Sequence, residues 1–512
     1  MALRILHYSD VENAYDAPER IGRLAGAIGE RRDAETLLAG AGDNTAPGVL
    51  SLVTDGRQAL DFFDAVEPAV DTFGNHDFDH GYDALRELVD DSPQTWVAAN
   101  VELDGRRFAD DAGAEPWTVV ERGGHEVGVV GVTTPTTPSI TPTASDLTVT
   151  EPVPAVADAV AALRKRGVDY VVVLAHMADD ERIAAECDVD AVLGGHTHTE
   201  RTARVDGAVL TRPAANGESL YEISFDGGDP TVTRHPVDDA PVDAEVAATL
   251  RERKVAADLE TTVDTVERPV ERTHETAFRG ESRIGNFVAD AYRWKSGADV
   301  GLQNSGGIRA GEPLAGEITV SDLISVVPFE EPVVVAEVSG EELRAICRQA
   351  SGSTVELGEP EWWHAHVSGA EIVWDGADAA LEAVRVDGDP VEPGATYTIA
   401  TSEYLLGTDH EFPTLEPGHR VDTLDIQYDV LVEYARERGV DPELEGRIRR
   451  LGLDSDRREA ERDADTGTAT DDNAATAADA ATPTDAAAAE QPDARSASRS
   501  DAAGSHSLAD DE

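Results

Sequence analysis

Between residues 1 and 200, five short apolar runs each end, within a few residues, on a carboxylate, a carboxamide or an imidazole. Arg4 to Tyr8 leads to Asp10, and Thr36 to Ala41 leads to Asp43. Pro68 to Phe73 leads to Asn75 and His76, Tyr170 runs up to His176, and Asp190 to Gly194 leads to His196 and His198. The intervening stretches have helical spacing, as in Ile21, Leu24, Ala25 and Ile28, then Tyr82, Leu85, Leu88 and Val89. Such alternation predicts an α/β core with helices outside the sheet. In sheets of this kind ligands bind beyond the carboxyl ends of the strands. One strand-end aspartate usually caps the next helix. Six polar groups at one edge (Asp10, Asp43, Asn75, His176, His196 and His198), separated by whole βα units, exceed what capping supplies.

The densest of these stretches is Thr72-Phe-Gly-Asn-His-Asp-Phe-Asp-His-Gly81. Glycine at position 74 is expected to let the backbone turn sharply at the strand end. An amide oxygen from Asn75 binds a metal without adding charge, and the His76 imidazole can pass a proton. Asp79, three residues on, is placed to hold that imidazole in one tautomer. His196 and His198 can face two different ions if the backbone turns at Gly194-Gly195.

Together Asp10-x-Glu12, Gly42-Asp43, Gly74-Asn75-His76-Asp77, Ala175-His176 and Gly195-His196-Thr197-His198 resemble the five ordered motifs of the calcineurin-like metallophosphoesterases, in their 5′-nucleotidase branch. The resemblance implies a four-layer αββα sandwich that holds two divalent metal ions. Asp43 would bridge them; Asn75, His176 and His196 would complete one site, and Asp10, His198 and residue 12 the other. His76, supported by Asp79, would be the catalytic residue that protonates the leaving alkoxide or contacts the phosphate. The family has histidine where this chain has Glu12. A carboxylate there moves preference from Zn2+ toward Mn2+ or another hard ion, although Zn2+ or another divalent transition metal also fits the donor set. If Glu12 turned outward instead, that ion would be under-ligated.

A second patterned region starts near Thr273. Gly280-Glu281-Ser282 with Gly285-Asn286, the run Asn304-Ser305-Gly306-Gly307-Ile308-Arg309, and Val327-Pro328-Phe329 resemble the 5′-nucleotidase C-terminal domain. Gly306 and Gly307 let the backbone approach a ligand, and Asn304 and Arg309 supply donors to phosphate or sugar oxygens. By resemblance, Phe329 and Tyr404 would sandwich a nucleobase; core packing is the alternative fate of each ring. The resemblance also implies a second phosphate-facing arginine, which would be Arg279 or Arg283, and spacing does not choose between them. Where the family has Gly-Gly-Asp-Gly, this chain has Gly407-Thr-Asp-His-Glu411.

The expected layout is a catalytic domain over residues 1–238, a linker and connecting helix over 239–265, a smaller α/β (α+β) substrate-binding domain over 266–454, and a disordered acidic tail over 455–512. The tail lacks aromatic residues and apolar periodicity, so it cannot bury enough surface to offset its ordering entropy. The chain carries 102 acidic against 42 basic residues, a formal charge of −60. That balance is of the haloarchaeal type, suited to a salt-rich cytoplasm where screening is strong. It argues against a nucleic-acid polymer or an anionic membrane as partner and leaves the oligomeric state open. No leader or spanning segment is recognised, so a cytoplasmic location is expected. Cys187 and Cys347 read as core fillers rather than a redox pair.

These features predict a two-metal phosphohydrolase acting on nucleoside 5′-monophosphates, in which paired ions about 3.5–4 Å apart clamp the phosphoryl oxygens. A 2′,3′-cyclic nucleotide phosphodiesterase and a nucleotide-sugar or dinucleotide hydrolase share the same centre. A nucleotide-binding protein that has lost turnover through the Glu12 replacement is the alternative outside the enzyme class.

Overall fold

A computed structural model describes residues 3–355 and 357–452. The tail expected from residue 455 lies outside the described residues.

The first half is built on two six-stranded sheets. In the first, Leu3–Tyr8, Thr36–Gly40, Val70–Asp71 and Thr95–Trp96 run parallel, Ser219–Phe225 is added antiparallel beside Leu3–Tyr8, and Thr231–Pro236 pairs antiparallel with Ser219–Phe225 at the edge. In the second, His125–Thr133, Tyr170–His176, Ala191–Gly195 and Ala208–Arg212 run parallel, flanked by antiparallel edges Trp117–Arg122 and Arg201–Val205.

Alternate residues on each strand point to opposite faces, and the packing follows this. Leu3, Ile5, Leu37, Ala39 and Val70 of the first sheet meet Val127, Val129, Val172, Leu174, Leu193 and Val209 of the second in one dry cluster. Leu6, Tyr8 and Leu38 face the other way, onto the helices Pro18–Arg31 and Gln58–Val66. Val130, Val132, Val171, Val173 and Val192 pack against the helices Pro152–Arg166 and Glu181–Glu186. The result is the expected αββα sandwich. Proline opens both long helices, where its missing N–H costs nothing.

The Gly227-Gly-Asp-Pro230 stretch is the turn of a hairpin, and Thr231–Pro236 pairs antiparallel with Ser219–Phe225 to make the sheet edge. One local expectation changes. The run Pro68 to Phe73 contributes only Val70–Asp71 as strand, because Asp71 turns its carboxylate onto the backbone N–H groups of Gly42 and Thr72. Cys347 is buried on the helix Gly340–Gln349, whereas Cys187 is only half-buried; both are free thiols.

The connecting helix Ala244–Ala256 is capped by Asp243 and packs on the first half: Arg253 pairs with Asp61, and Lys254 donates to the Asp16 carbonyl. The second half holds a five-stranded sheet ordered Ala365–Ser368, Val300–Asn304, Thr396–Ser402, Pro332–Ser339 and Arg420–Ile426, with a four-stranded sheet beside it. The helices Arg283–Ser296 and Gln427–Arg438 lie close together, Tyr292 donating to Gln427. Among the described residues, no helix is long and apolar enough to cross a membrane.

Candidate metal centre and nucleotide cleft

The carboxyl ends of the parallel strands from both sheets converge. Ligand atoms of Asp43, His176 and His196 lie within 4.8 Å of one another, as do those of Asp10, Glu12 and His198. Asn75 joins the first group through its Oδ1, 2.9 Å from His196 Nδ1. Asp10, Glu12, Asp43 and His196 all have left-handed backbones, with φ of 51°, 46°, 52° and 72°. Non-glycine residues held there cost about 1–3 kcal/mol each and cluster where surrounding structure forces them. Here the forcing contacts are ordered: Asp10 N–H donates to the Gly42 carbonyl, and His196 N–H donates to Asp10 Oδ1. The turn at 194–196 thus sits on His196 rather than on the two glycines.

Gly74 is required for a reason other than the one expected. Its φ is not left-handed; a Cβ there would run into the Asp43 carboxylate. Its N–H instead donates to Asp77, whose buried carboxylate also accepts from the backbone N–H groups of Asp43, Asn44 and Thr45 at 2.9 to 3.2 Å. Asp77 therefore ties the Asp43 loop to the Asn75 loop. It is a site residue that strand-end reasoning passes over, since its partners are main-chain groups; its place as the last residue of Gly-Asn-His-Asp was the available signal.

The donor set fits cations. His176 Nδ1 faces the Ala41 carbonyl at 2.8 Å and must donate its proton there. That leaves Nε2, 2.9 Å from Asp43 Oδ2, yet neither this contact nor the 2.9 Å approach of His198 Nε2 to Glu12 Oε1 pairs the atoms fully. His176 Nε2, Asp10 Oδ2 and Glu12 Oε1 are buried without an aligned hydrogen bond. Unsatisfied buried acceptors of this kind are costly unless something positive joins them. Proton affinities follow the same logic. Burial alone would lower His176, but the Asp43 carboxylate raises it to about 9. Glu12 contact raises His198 to about 9, while burial lifts Glu12 to about 7. Burial and the neighbouring His176 hold His196 down to about 4, so it is neutral and ready to ligate.

His76 stands beside this centre and a third of its side chain is exposed. Its Nδ1 lies 2.9 Å from Asp79 Oδ2, the contact expected to fix the tautomer, and its backbone N–H donates to Asp43 Oδ1.

In the second half, Asn304 is buried at the end of its strand, donating Nδ2 to Glu411 Oε1 at 2.9 Å and accepting from Gln303 Nε2 at 3.0 Å. Gly306 and Gly307 follow in a half-buried turn, and a Cβ on Gly307 would meet the side chains of Gln303 and Asn304. The Arg309 guanidinium lies 4.8 Å from the Phe329 ring centroid. Tyr404 is 41% exposed, and its phenol feels the charges of Glu411, Glu331 and Arg309. Among the described residues neither Phe329 nor Tyr404 packs on another aromatic ring.

The two arginines separate. Arg283 is mostly buried and donates to the carbonyls of Arg268, Pro269 and Pro442. Arg279 is 69% exposed, pairs with Glu275, and follows Phe278, whose ring reaches toward Gly306. Glu411 was not anticipated as the partner of Asn304; its position in the altered Gly407-Thr-Asp-His-Glu411 segment was the only hint.

Comparison with known proteins agrees with this arrangement. The calcineurin-like phosphoesterase family matches residues 3–200, and the 5′-nucleotidase C-terminal domain matches residues 257–417. The trifunctional nucleotide phosphoesterase protein YfkN of Bacillus subtilis is 23% identical over 88% of this chain; the chain spans only 35% of that relative's length. The 5′-nucleotidase of Homo sapiens is 24% identical, with 87% of this chain and 90% of that protein covered. The crystal structure of the 5′-nucleotidase precursor from Thermus thermophilus shares the fold, with a TM-score of 0.66 at 24% identity over 88% of this chain and all of that one. With both domain models matched in order and a candidate metal-ligand set at the sheet edge, the chain carries a calcineurin-like phosphoesterase domain followed by a 5′-nucleotidase C-terminal domain.

Proposed function

We propose that this chain releases phosphate from nucleoside 5′-monophosphates. The observation that carries the reading is the pairing of two three-residue ligand groups, Asp43/His176/His196 and Asp10/Glu12/His198, with His76 beside them. Bound there, two divalent cations (Mn2+ favoured by the Glu12 oxygen) would supply charge neutralisation and an activated water. His76, steered by Asp79, then gives its proton to the departing ribose oxygen.

Recognition of the nucleoside belongs to the second half. Arg309 and Arg279 reach the phosphate or sugar oxygens as exposed guanidinium groups, whereas Arg283 is committed to backbone carbonyls. The glycine backbone at 306–307 gives close approach, and Asn304 is oriented by Gln303 and Glu411. Phe329 and Tyr404, free of other rings, take the base between them, a contact worth about 1–3 kcal/mol per base. Chemistry is assigned to residues 1–238 and recognition to 266–454, joined by 239–265. The acidic surface suits a small-molecule substrate in a salt-rich cytoplasm.

The test is a panel of AMP, cyclic AMP isomers, UDP-glucose and p-nitrophenyl phosphate with Mn2+ in molar salt. The proposal expects AMP to give the highest kcat/KM, and Asp43→Ala and His76→Ala to abolish or cut release about 10²–10⁴-fold with the fold retained. Preference for a cyclic nucleotide or UDP-glucose would replace the substrate; nucleotide binding without release would replace the enzyme reading.

A further inference from the structure

The stretch Thr133-Thr-Pro-Thr-Thr-Pro-Ser-Ile-Thr-Pro-Thr143 follows the second sheet's strand His125–Thr133, and its prolines restrict the backbone at positions 135, 138 and 142. Three of its hydroxyls donate to main-chain carbonyls of the Asn75 turn. Thr133 Oγ1 reaches the Phe73 carbonyl at 2.6 Å, Thr141 Oγ1 the Asn75 carbonyl at 3.2 Å, and Thr143 Oγ1 the Phe78 carbonyl at 2.7 Å. The same stretch holds the other ligand-bearing strand, since Thr134 N–H donates to the His176 carbonyl at 2.8 Å.

One of these contacts stands apart. The peptide joining Asn75 and His76 is gripped at both ends: its carbonyl accepts from Thr141 and, at 3.3 Å, from the Phe78 N–H of its own turn, and its N–H donates to Asp43 Oδ1 at 2.8 Å. A peptide is planar, so fixing the carbonyl fixes the N–H on its other side. Thr141 is 2% exposed, so its hydroxyl makes this contact away from bulk solvent. We infer that Thr141 is a positioning residue: through the 75–76 peptide it sets the Asp43 carboxylate, which belongs to the candidate ligand group, and the direction in which His76 leaves the turn.

This inference rests on the phosphohydrolase reading for its effect on turnover, but its effect on cation binding does not require a particular substrate. Groups one contact removed from a ligand typically change metal affinity or activity by 10–100-fold. The experiment compares the full-length wild type, Thr141→Val and Thr141→Ser after removal of metal. Mn2+ is titrated calorimetrically in molar salt, and kcat and KM are measured on p-nitrophenyl phosphate. Thr141→Val should bind Mn2+ about tenfold more weakly and lose kcat with KM nearly unchanged, and Thr141→Ser should restore both. Wild-type Mn2+ affinity in Thr141→Val, or a serine variant as impaired as the valine one, would overturn the inference. Thermal unfolding of the metal-free forms checks the fold; should valine disturb it, Thr141→Ala takes its place under the same criterion. Failure of the wild type on AMP would remove the proposed substrate while leaving the Mn2+ comparison decisive for Thr141.

Discussion

Glu12 Oε1 lies 2.9 Å from His198 Nε2, and both belong to the group completed by Asp10. The carboxylate is turned inward and only 3% exposed, so the alternative in which it points to solvent does not hold. Restoring the imidazole found in the family should alter which ion is preferred. Glu12→His is expected to raise the ratio of Zn2+ to Mn2+ affinity on the order of tenfold, because nitrogen replaces a hard oxygen donor. Competition titration against a metal-chelating dye measures the ratio; an unchanged ratio would mean that residue 12 does not ligate.

Arg279 and Arg283 should behave differently. Arg279 makes one exposed ion pair, a contact worth about 0–1 kcal/mol to stability, so Arg279→Ala should leave the melting temperature nearly unchanged. It should raise KM for AMP about tenfold by removing a charged hydrogen-bond donor to phosphate. Arg283→Ala leaves three carbonyls without their donor and should lower the melting temperature by several degrees. The reverse pattern in steady-state kinetics and thermal melts would exchange their roles.

Glu411 gives a pH signature away from the metal ligands. Burial raises its carboxyl from 4.5 to about 7, against a compensating hydrogen bond from Asn304. The folded state therefore binds the proton more tightly than the unfolded chain. The stabilisation this confers is complete below about pH 4.5 and is lost as pH rises through about 7. A shift of that size corresponds to about 3 kcal/mol at most. Glu411→Gln should flatten this part of the stability profile, gaining on the wild type at pH 8 relative to pH 4.5. Parallel pH profiles from denaturant unfolding would contradict it.

Much of the candidate metal centre was legible because Asp10, Asp43, Asn75, His176 and His196 stand at or directly after predicted strands, where topology alone brings them to one edge. Periodicity likewise located the helices Pro18–Arg31 and Gly81–Asp91. What escaped were residues whose partners are backbone groups distant in sequence. Asp77 binds N–H groups around positions 43 to 45, and Thr141 binds the Asn75 carbonyl; neither side chain type signals such a target. Arg279 and Arg283 differ in burial, a property that four residues of spacing do not encode.

The central claim is that two cations sit between the sheets' carboxyl edges, one per ligand group, and metal analysis of protein purified in molar salt with Mn2+ tests it most directly. The account predicts two ions per chain, falling to at most one in Glu12→Ala and to none firmly held in Asp43→Ala. A single ion per wild-type chain, or two that survive loss of Asp43, would contradict it.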